Sequence, residues 1–460
     1  MAVSPARAVA FEILLRVERE ESYAAELLHS DRLAKLCSRD HRLATELVMG
    51  VLRWQSLLDQ RLAAASSQKL ERLNGEVLAA LRLGVYQLHF LSRVPAHAAI
   101  FESVELVKAA RKRSAASFVN AILRTIAGAG TEDIFAEIYR AHDSITLARN
   151  AAHPAWLVAR WNEHHGLEAA RHICAYDQAV PDTAIHIHGD QSNTDQAEGE
   201  LAAAGVQLAP GRLLSAARRV LSGDVTATRA YREGRVSIQD EASQLVALVA
   251  GLGKTNVDGA ILDCCAAPGS KSSLLARRNP RAKVFATELH PHRARLLRSL
   301  SRLPNVHVIA ADARHLPFSF PFDRVLADVP CSGTGTLARN PEIKWRLKAE
   351  DLHDLQSRQV AILKSALAQL ATGGRLVYST CSLEREENEA VVEAALDETA
   401  EFKVTDLKGE LEQLRQSGEL SSGFDNASLL AGPYLRTIPG VHPCDGFFAT
   451  MIERKMIDRR

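Results

Sequence analysis

The sequence predicts a multidomain chain. It has an all-α N-terminal domain, a small α+β connector, and a C-terminal α/β domain with a doubly wound, mostly parallel, Rossmann-like sheet. Three observations carry this. Helical spacing runs from Pro5 to about Gly128, helix-like stretches mix with a short extended one up to about residue 235, and extended and helical segments alternate from residue 258 onward. A length of 460 residues exceeds one ordinary core, so two or three domains are expected. Their boundaries read as 1–135, 140–235 and 236–457.

In the first domain, apolar residues recur at helical spacing in Ala8, Phe11, Leu14 and Leu15 and in Leu43, Leu47 and Val51. A helix over Leu81–Phe90 breaks at Pro95 and resumes from Ile100 to Ala110. The cluster Arg111-Lys112-Arg113 that follows is either a solvated helix end or an RNA contact. The connector holds a helix-like Trp156–His164 and a strand Thr183–Ile187. Gly234–Leu245 then opens a helix with Asp240 near its N-terminus as a cap or dipole partner, at the entry to the last domain.

There the strands read as Ala260–Asp263, Lys283–Thr287, Val306–Ala310, Arg324–Asp328 and Arg375–Ser379. The helices start at Lys271 or span Arg293–Arg302, Leu352–Leu370 and Glu386–Leu396. Ligands bind beyond the carboxyl ends of such strands. Asp263, Glu288, Asp312, Asp328 and Cys381 fall at or just after strand ends and are expected on one rim. The mostly polar stretch Gln416–Ser422 is the nearest approach to disorder.

Composition is that of a globular protein, with 47% apolar and 24% charged residues, and no apolar run reaches the roughly 20 residues of a membrane span. The charged start, with Glu12, Arg16 and Glu18, is unlike a secretory leader, so a cytoplasmic protein is expected. A net charge of +1 averages over faces and leaves room for a local basic stripe. Seven cysteines form no Cys-x-x-Cys pair, which disfavours structural disulfides and zinc. Cys264 and Cys265 would face opposite sides of an extended segment, and packing accounts for Cys37, Cys174, Cys264 and Cys444.

The turn from Asp263 through Ala266-Ala267-Pro268-Gly269 into a helix has side chains small enough for close approach of a cofactor. A tight turn made only for packing is the plain alternative. The spacings of a phosphate loop and of Gly-x-Gly-x-x-Gly are both absent, so S-adenosylmethionine fits better than a nucleoside triphosphate or a dinucleotide. Glu288 suits two ribose hydroxyls and Asp312 an adenine amino group; alone, either would be an exposed strand-end charge. Asp328-Val-Pro-Cys331 puts a carboxylate and a thiol on one loop, and Cys381 follows a strand toward the same pocket. A sulfur that adds to carbon 6 of cytosine makes carbon 5 nucleophilic, and a carboxyl group at the ring nitrogen and amino group stabilises the charge that develops. Spacing does not decide which cysteine attacks.

Two resemblances follow from these residues. Arg7-Ala-Val-Ala-Phe11, Gly50-Val-Leu-Arg53 with Leu58-Asp59, Arg82-Leu-Gly-Val-Tyr86 and Phe118-Val-Asn120 resemble the helical RNA-binding fold of NusB. Ala266–Lys271, Asp328-Val-Pro-Cys-Ser-Gly-Thr-Gly335, Tyr378-Ser-Thr-Cys-Ser382 with Glu387-Asn388-Glu389, and Asp445-Gly-Phe-Phe448 resemble the Sun/nucleolar-protein family of RNA cytosine-5 methyltransferases.

The second resemblance implies Cys381 as nucleophile, Cys331 as the thiol that helps release product, and Asp328 as a partner in catalysis. It implies S-adenosyl-L-methionine as cofactor, held by Cys265, Ala266, Ala267, Pro268, Gly269, Ser270, Lys271, Glu288, Asp312 and Asp328, with no metal. Ser270 departs from the family's usual second glycine, and Glu288 from its common Asp. Together the resemblances imply a monomer acting on 16S ribosomal RNA or a small-subunit assembly intermediate, with no membrane partner. The alternatives are a transfer RNA cytosine-5 methyltransferase and a non-catalytic ribosome-assembly or antitermination factor. The latter has no reason to keep both thiols and Asp328 on one rim.

Overall fold

The computed structural model describes residues 3–20, 22–30, 33, 36–128, 133–189, 191–251, 259–301, 303–397 and 399–456. The expected helix end at Arg302 and domain end at residue 457 lie outside them. The chain divides into two compact units, residues 1–181 with 337–347, and residues 182–336 with 348–460.

The first unit is helical. Its long elements are Pro5–Glu20, Ser38–Ala65, Gly75–Phe90, Ala96–Ala109, Ala116–Ala127 and Ala155–Gln178, the last kinked at Gly166. The helix start at Ala96 follows Pro95, where a missing N–H costs nothing. Several residues that carry the NusB resemblance hold the helices of this unit together. Arg82 grips Asp59 with two bonds of 2.8 Å, Arg7 Nε donates to Gln87 Oε1 at 2.6 Å, and Tyr86 donates to Glu46 at 2.6 Å. The basic triplet is a helix end, with Arg111 at φ 64° and Lys112 within 3.4 Å of Asn74 Oδ1. Residues 337–347 pack into this unit through Lys344. It is fully buried, donates to Arg53 O at 2.9 Å, and has its pKa pulled down by burial to about 7.

The second unit contains two sheets. Strands β1 Thr183–Ile187, β2 Gln207–Pro210, β3 Ala217–Ser222 and β4 Val236–Ile238 form an antiparallel sheet in the order β2-β3-β1-β4. Only β1 was expected, because β2 and β3 are half exposed and lack an apolar run. The helix Glu241–Gly251 follows, and Asp240 Oδ1 accepts from Ala242 N at 2.9 Å, the expected cap.

The large sheet has a parallel core. Strands β5 Ala260–Asp263, β6 Lys283–Glu288, β7 Val306–Ala310, β8 Phe322–Asp328 and β9 Leu370–Thr380 pair in the order β9-β8-β5-β6-β7. Apolar runs such as Val325-Leu326-Ala327 suit strands covered on both faces. The order reverses at β5 and β8, so the ends of these two strands, Asp263 and Asp328, flank the switch point.

The sequence reading did not foresee the antiparallel extension, β10 Phe402–Thr405, β11 Leu430–Ala431, β12 Tyr434–Thr437 and β13 Phe447–Arg454. Of these, β13 pairs β9 with Phe448 opposite Thr380. Gln416–Ser422, the stretch nearest to disorder in the sequence, is ordered. Leu420 is buried, Ser421 N donates to Leu213 O at 2.9 Å, and Glu419 holds Arg278. Cys37 is exposed rather than packed. Among the described residues, no helix is long and apolar enough to cross a membrane, and no group of three or more His, Cys, Asp or Glu side chains could hold a metal ion.

Candidate active site

A cavity of about 580 Å³ opens at the switch point. Its wall includes Cys265, Ala267, Glu288, Asp312, Asp328, Cys331 and Cys381. Cys264 also reaches it. The strand ends at Asp263, so the two adjacent cysteines sit in a turn rather than in an extended segment.

The sulfurs of Cys331 and Cys381 lie 3.2 Å apart, and both thiols are free. The bond to Cys381 and burial push the Cys331 thiol well above its ordinary pKa. The turn after β9 is tied to the loop after β8 by Gly335 N, which donates to Cys381 O at 2.9 Å. Gly446 N in turn donates to Gly335 O at 2.8 Å, and a Cβ on Gly335 would stand 2.2 Å from Gly446 O. This close approach gives a reason for glycine in both motifs.

Asp328 ends β8. Its Oδ1 accepts from Ser379 Oγ at 2.7 Å, and its Oδ2 pairs with Lys271 Nζ at 2.8 Å. Burial disfavours the Lys271 charge, but Asp328 outweighs it, with Cys381 and Asp263 adding, so the pKa of Lys271 is raised. The ammonium also lies 5.3 Å from the Phe447 ring centre, a favourable cation–π distance.

The expected cofactor loop divides. Cys265 and Ala267 line the cavity, whereas Ala266, Pro268, Gly269, Ser270 and Lys271 are not in its wall. Ala266 packs with Ala286 and Leu297, and Ser270 begins the helix Ser270–Arg278. Gly269 has φ 113°, and a Cβ there would meet Leu297 Cδ1 at 2.2 Å. Gly269→Ala is expected to cost about 1–3 kcal/mol, read as a lower urea midpoint; an unchanged midpoint refutes the packing argument.

Asp263 does not reach the rim. It is buried beneath it and accepts from Ser272 Oγ at 2.5 Å, while its Oδ1 has no partner. Burial raises its pKa to about 6. A carboxyl group that holds its proton more tightly folded than unfolded stabilises most below its unfolded pKa, and this contribution fades as pH rises from about 4 to 6. Asp263→Asn should therefore lose less stability than the parent between pH 4.5 and 7, by about 2 kcal/mol, in urea titrations at both pH values. Equal losses would sink this assignment.

Glu288 ends β6, is largely buried, and accepts from His290 N at 3.0 Å. Asp312, two residues past β7, accepts from Arg314 N at 2.9 Å and from its guanidinium at 2.7–3.1 Å, which lowers its pKa. The cations Arg293, Arg314 and Arg358 in the cavity wall were not anticipated. They lie on or beside helices whose position follows only from folding.

Comparison with known proteins agrees with this geometry. The 16S rRNA methyltransferase RsmB/F family matches residues 251–453, and the NusB family matches residues 4–128. The probable ribosomal RNA small subunit methyltransferase B of Bacillus subtilis (strain 168) is 35% identical over 408 residues, covering 86% of this chain and 89% of that protein. The chain belongs to the RsmB family. The ribosomal RNA small subunit methyltransferase B of Pseudomonas syringae pv. tomato is likewise 35% identical, over 93% of this chain and 92% of its own. The RsmB-family fold recurs in the crystal structure of PH0851, with a TM-score of 0.79 and 21% identity over 99% of this chain and 100% of that one. NSun6 from Pyrococcus horikoshii, solved with SFG, has a TM-score of 0.54 and 18% identity over 65% of this chain and 98% of that chain. Both the NusB-like helical unit and the Rossmann-like unit expected from the sequence are thus those of this S-adenosylmethionine-dependent rRNA methyltransferase family.

Proposed function

We propose that this chain methylates carbon 5 of an unpaired cytosine in 16S ribosomal RNA through a transient bond from Cys381 to carbon 6. The observation that carries the reading is two free thiols 3.2 Å apart in one cavity with an Asp328 carboxylate held by Lys271.

The cavity suits S-adenosylmethionine, because its wall holds carboxylates at or just past three strand ends, acceptors for ribose hydroxyls and an adenine amino group and partners for a sulfonium charge. Cys265, Ala267, Glu288 and Asp312 would hold it, with Ala266, Pro268, Gly269, Ser270 and Lys271 shaping the turn beneath. When bound, S-adenosylmethionine supplies a methyl group activated by a positively charged sulfur. The residues of the chain do the rest.

The contact with Cys381, burial and the charge of Glu387 all oppose ionisation of Cys331, which leaves Cys381 as the attacking sulfur of the pair. Its addition to carbon 6 pushes the ring electrons toward carbon 5. Asp328, fixed by Ser379 and Lys271, accepts from the cytosine amino group and opposes charge build-up on the ring. After carbon 5 is methylated, loss of its proton returns the C–H electron pair to the ring, the double bond re-forms, and the Cys381 thiolate leaves. Cys331, kept protonated beside it, assists that release. The target base has to be splayed out of any helix to reach the sulfur.

Bisulfite mapping of ribosomal and transfer RNA, with and without the protein, tests the reading. One 16S cytosine should lose protection when the protein is absent. A change confined to transfer RNA, or no change, overturns it.

A further inference from the structure

The residue after each cysteine is a serine, and both serines reach the same carboxylate. Glu387 accepts from Ser332 N at 2.7 Å, from the hydroxyl of Ser332, from Ser382 Oγ at 2.5 Å and from Gln359 Nε2 at 2.9 Å. It is fully buried, and its own carbonyl takes the Tyr378 hydroxyl at 2.6 Å. Burying a carboxylate is costly unless donors surround it, and here they come from the loop after β8, the turn after β9 and the helix Asp351–Ala368. Gln359 Nε2 also donates to Pro330 O at 3.0 Å, so the residue before Cys331 is held as well as the one after it. Asn388 continues the clamp, accepting from Thr380 Oγ1 at 2.5 Å and donating to Ser382 O at 2.9 Å.

We propose that Glu387 is a positioning residue of the reaction: it ties the Cys331 loop to the Cys381 turn and keeps a buried negative charge between them. The inference rests on the reading of these thiols as the reacting groups. The contact with Cys381, burial and the charge of Glu387 all oppose ionisation of Cys331. Tyr378 interacts with Cys331, and Cys265, Cys381, Asp328 and Arg358 are among the ionisable groups that share its cavity wall. Cys331 is the sulfur held to its proton.

Two variants separate geometry from charge. In Glu387→Gln the side-chain oxygen can still accept from Ser332 N and Gln359 Nε2, and both serine hydroxyls can turn to accept from its amide. The connections survive and the charge goes. Glu387→Ala removes both. The full chain without RNA is alkylated with iodoacetamide from pH 6 to 10, and Cys331 and Cys381 are quantified by peptide mass mapping.

In Glu387→Gln the Cys331 profile should move down by about one pH unit, about tenfold in rate at pH 8, with Cys381 within about twofold. In Glu387→Ala, kcat on RNA should fall by on the order of 100-fold with KM for the methyl donor within about twofold, and Gln should restore most of that loss. If the Ala variant does not fold, the alkylation profile of the Gln variant decides. An unchanged Cys331 profile in that variant, with an active parent, overturns the role of Glu387. A parent that methylates no RNA cytosine overturns the functional reading instead.

Discussion

Cys381→Ala is expected to abolish methyl transfer, a loss of more than about 10⁴-fold, while binding of S-adenosylmethionine in a calorimetric titration changes by less than about twofold. Without the sulfur, carbon 5 of cytosine is too electron-poor to accept a methyl group, and no other described nucleophile stands where the thiol stood. Cys331, 3.2 Å away, has its ionisation opposed by the Cys381 bond, by burial and by Glu387. It is poorly placed electrostatically to take over. The companion variant has the opposite signature. Cys331→Ser leaves addition possible and slows release, so a protein–RNA adduct should build up as a retarded band on a denaturing gel. Full turnover by the Cys381 variant, or an adduct formed only when Cys331 is present, would reverse the roles given to the two thiols.

Lys271→Met should lower kcat by about 10²–10³-fold, more than any change at Glu288 or Asp312. The ammonium pairs Asp328 Oδ2 at 2.8 Å, and its own charge is favoured by Asp328 and then by Cys381 and Asp263. Losing it leaves Asp328 partly buried without its cation, at a cost of about 2–4 kcal/mol to folding. The measurable sign is a lower urea midpoint together with the lower kcat. If Lys271→Met keeps the parent's turnover, the pair with Asp328 is structural only. Asp328→Asn provides the control, because it leaves the ammonium near Cys381 while removing the acceptor for the cytosine amino group.

Much of the site was legible because strand ends are. Each of Asp263, Glu288, Asp312, Asp328 and Cys381 closes or follows an apolar run bounded by turn residues, and a parallel sheet brings such ends to one side. What stayed hidden depends on partners distant in sequence. Asp263 has the same local context as Asp328, yet it is buried beneath the rim with Ser272 and Asp328 meets Lys271. Glu387 was visible only as part of a motif, since nothing in its neighbours along the chain shows that Ser332, 55 positions earlier, donates to it. The antiparallel strands escaped notice for a related reason: β11 and β12 are short, and β12 becomes a strand by pairing with β13.

By itself the amino-acid order determined the helical first unit, the parallel strands and the chemical inventory, because hydrophobic period and turn residues act over a few neighbours. Which carboxylate meets a cation and which gathers the serines beside the two cysteines was decided only by tertiary structure. Charge acts through space over a few ångströms, and Lys271, Cys331, Cys381 and Glu387 come within that reach only when β5, β8 and β9 are laid side by side.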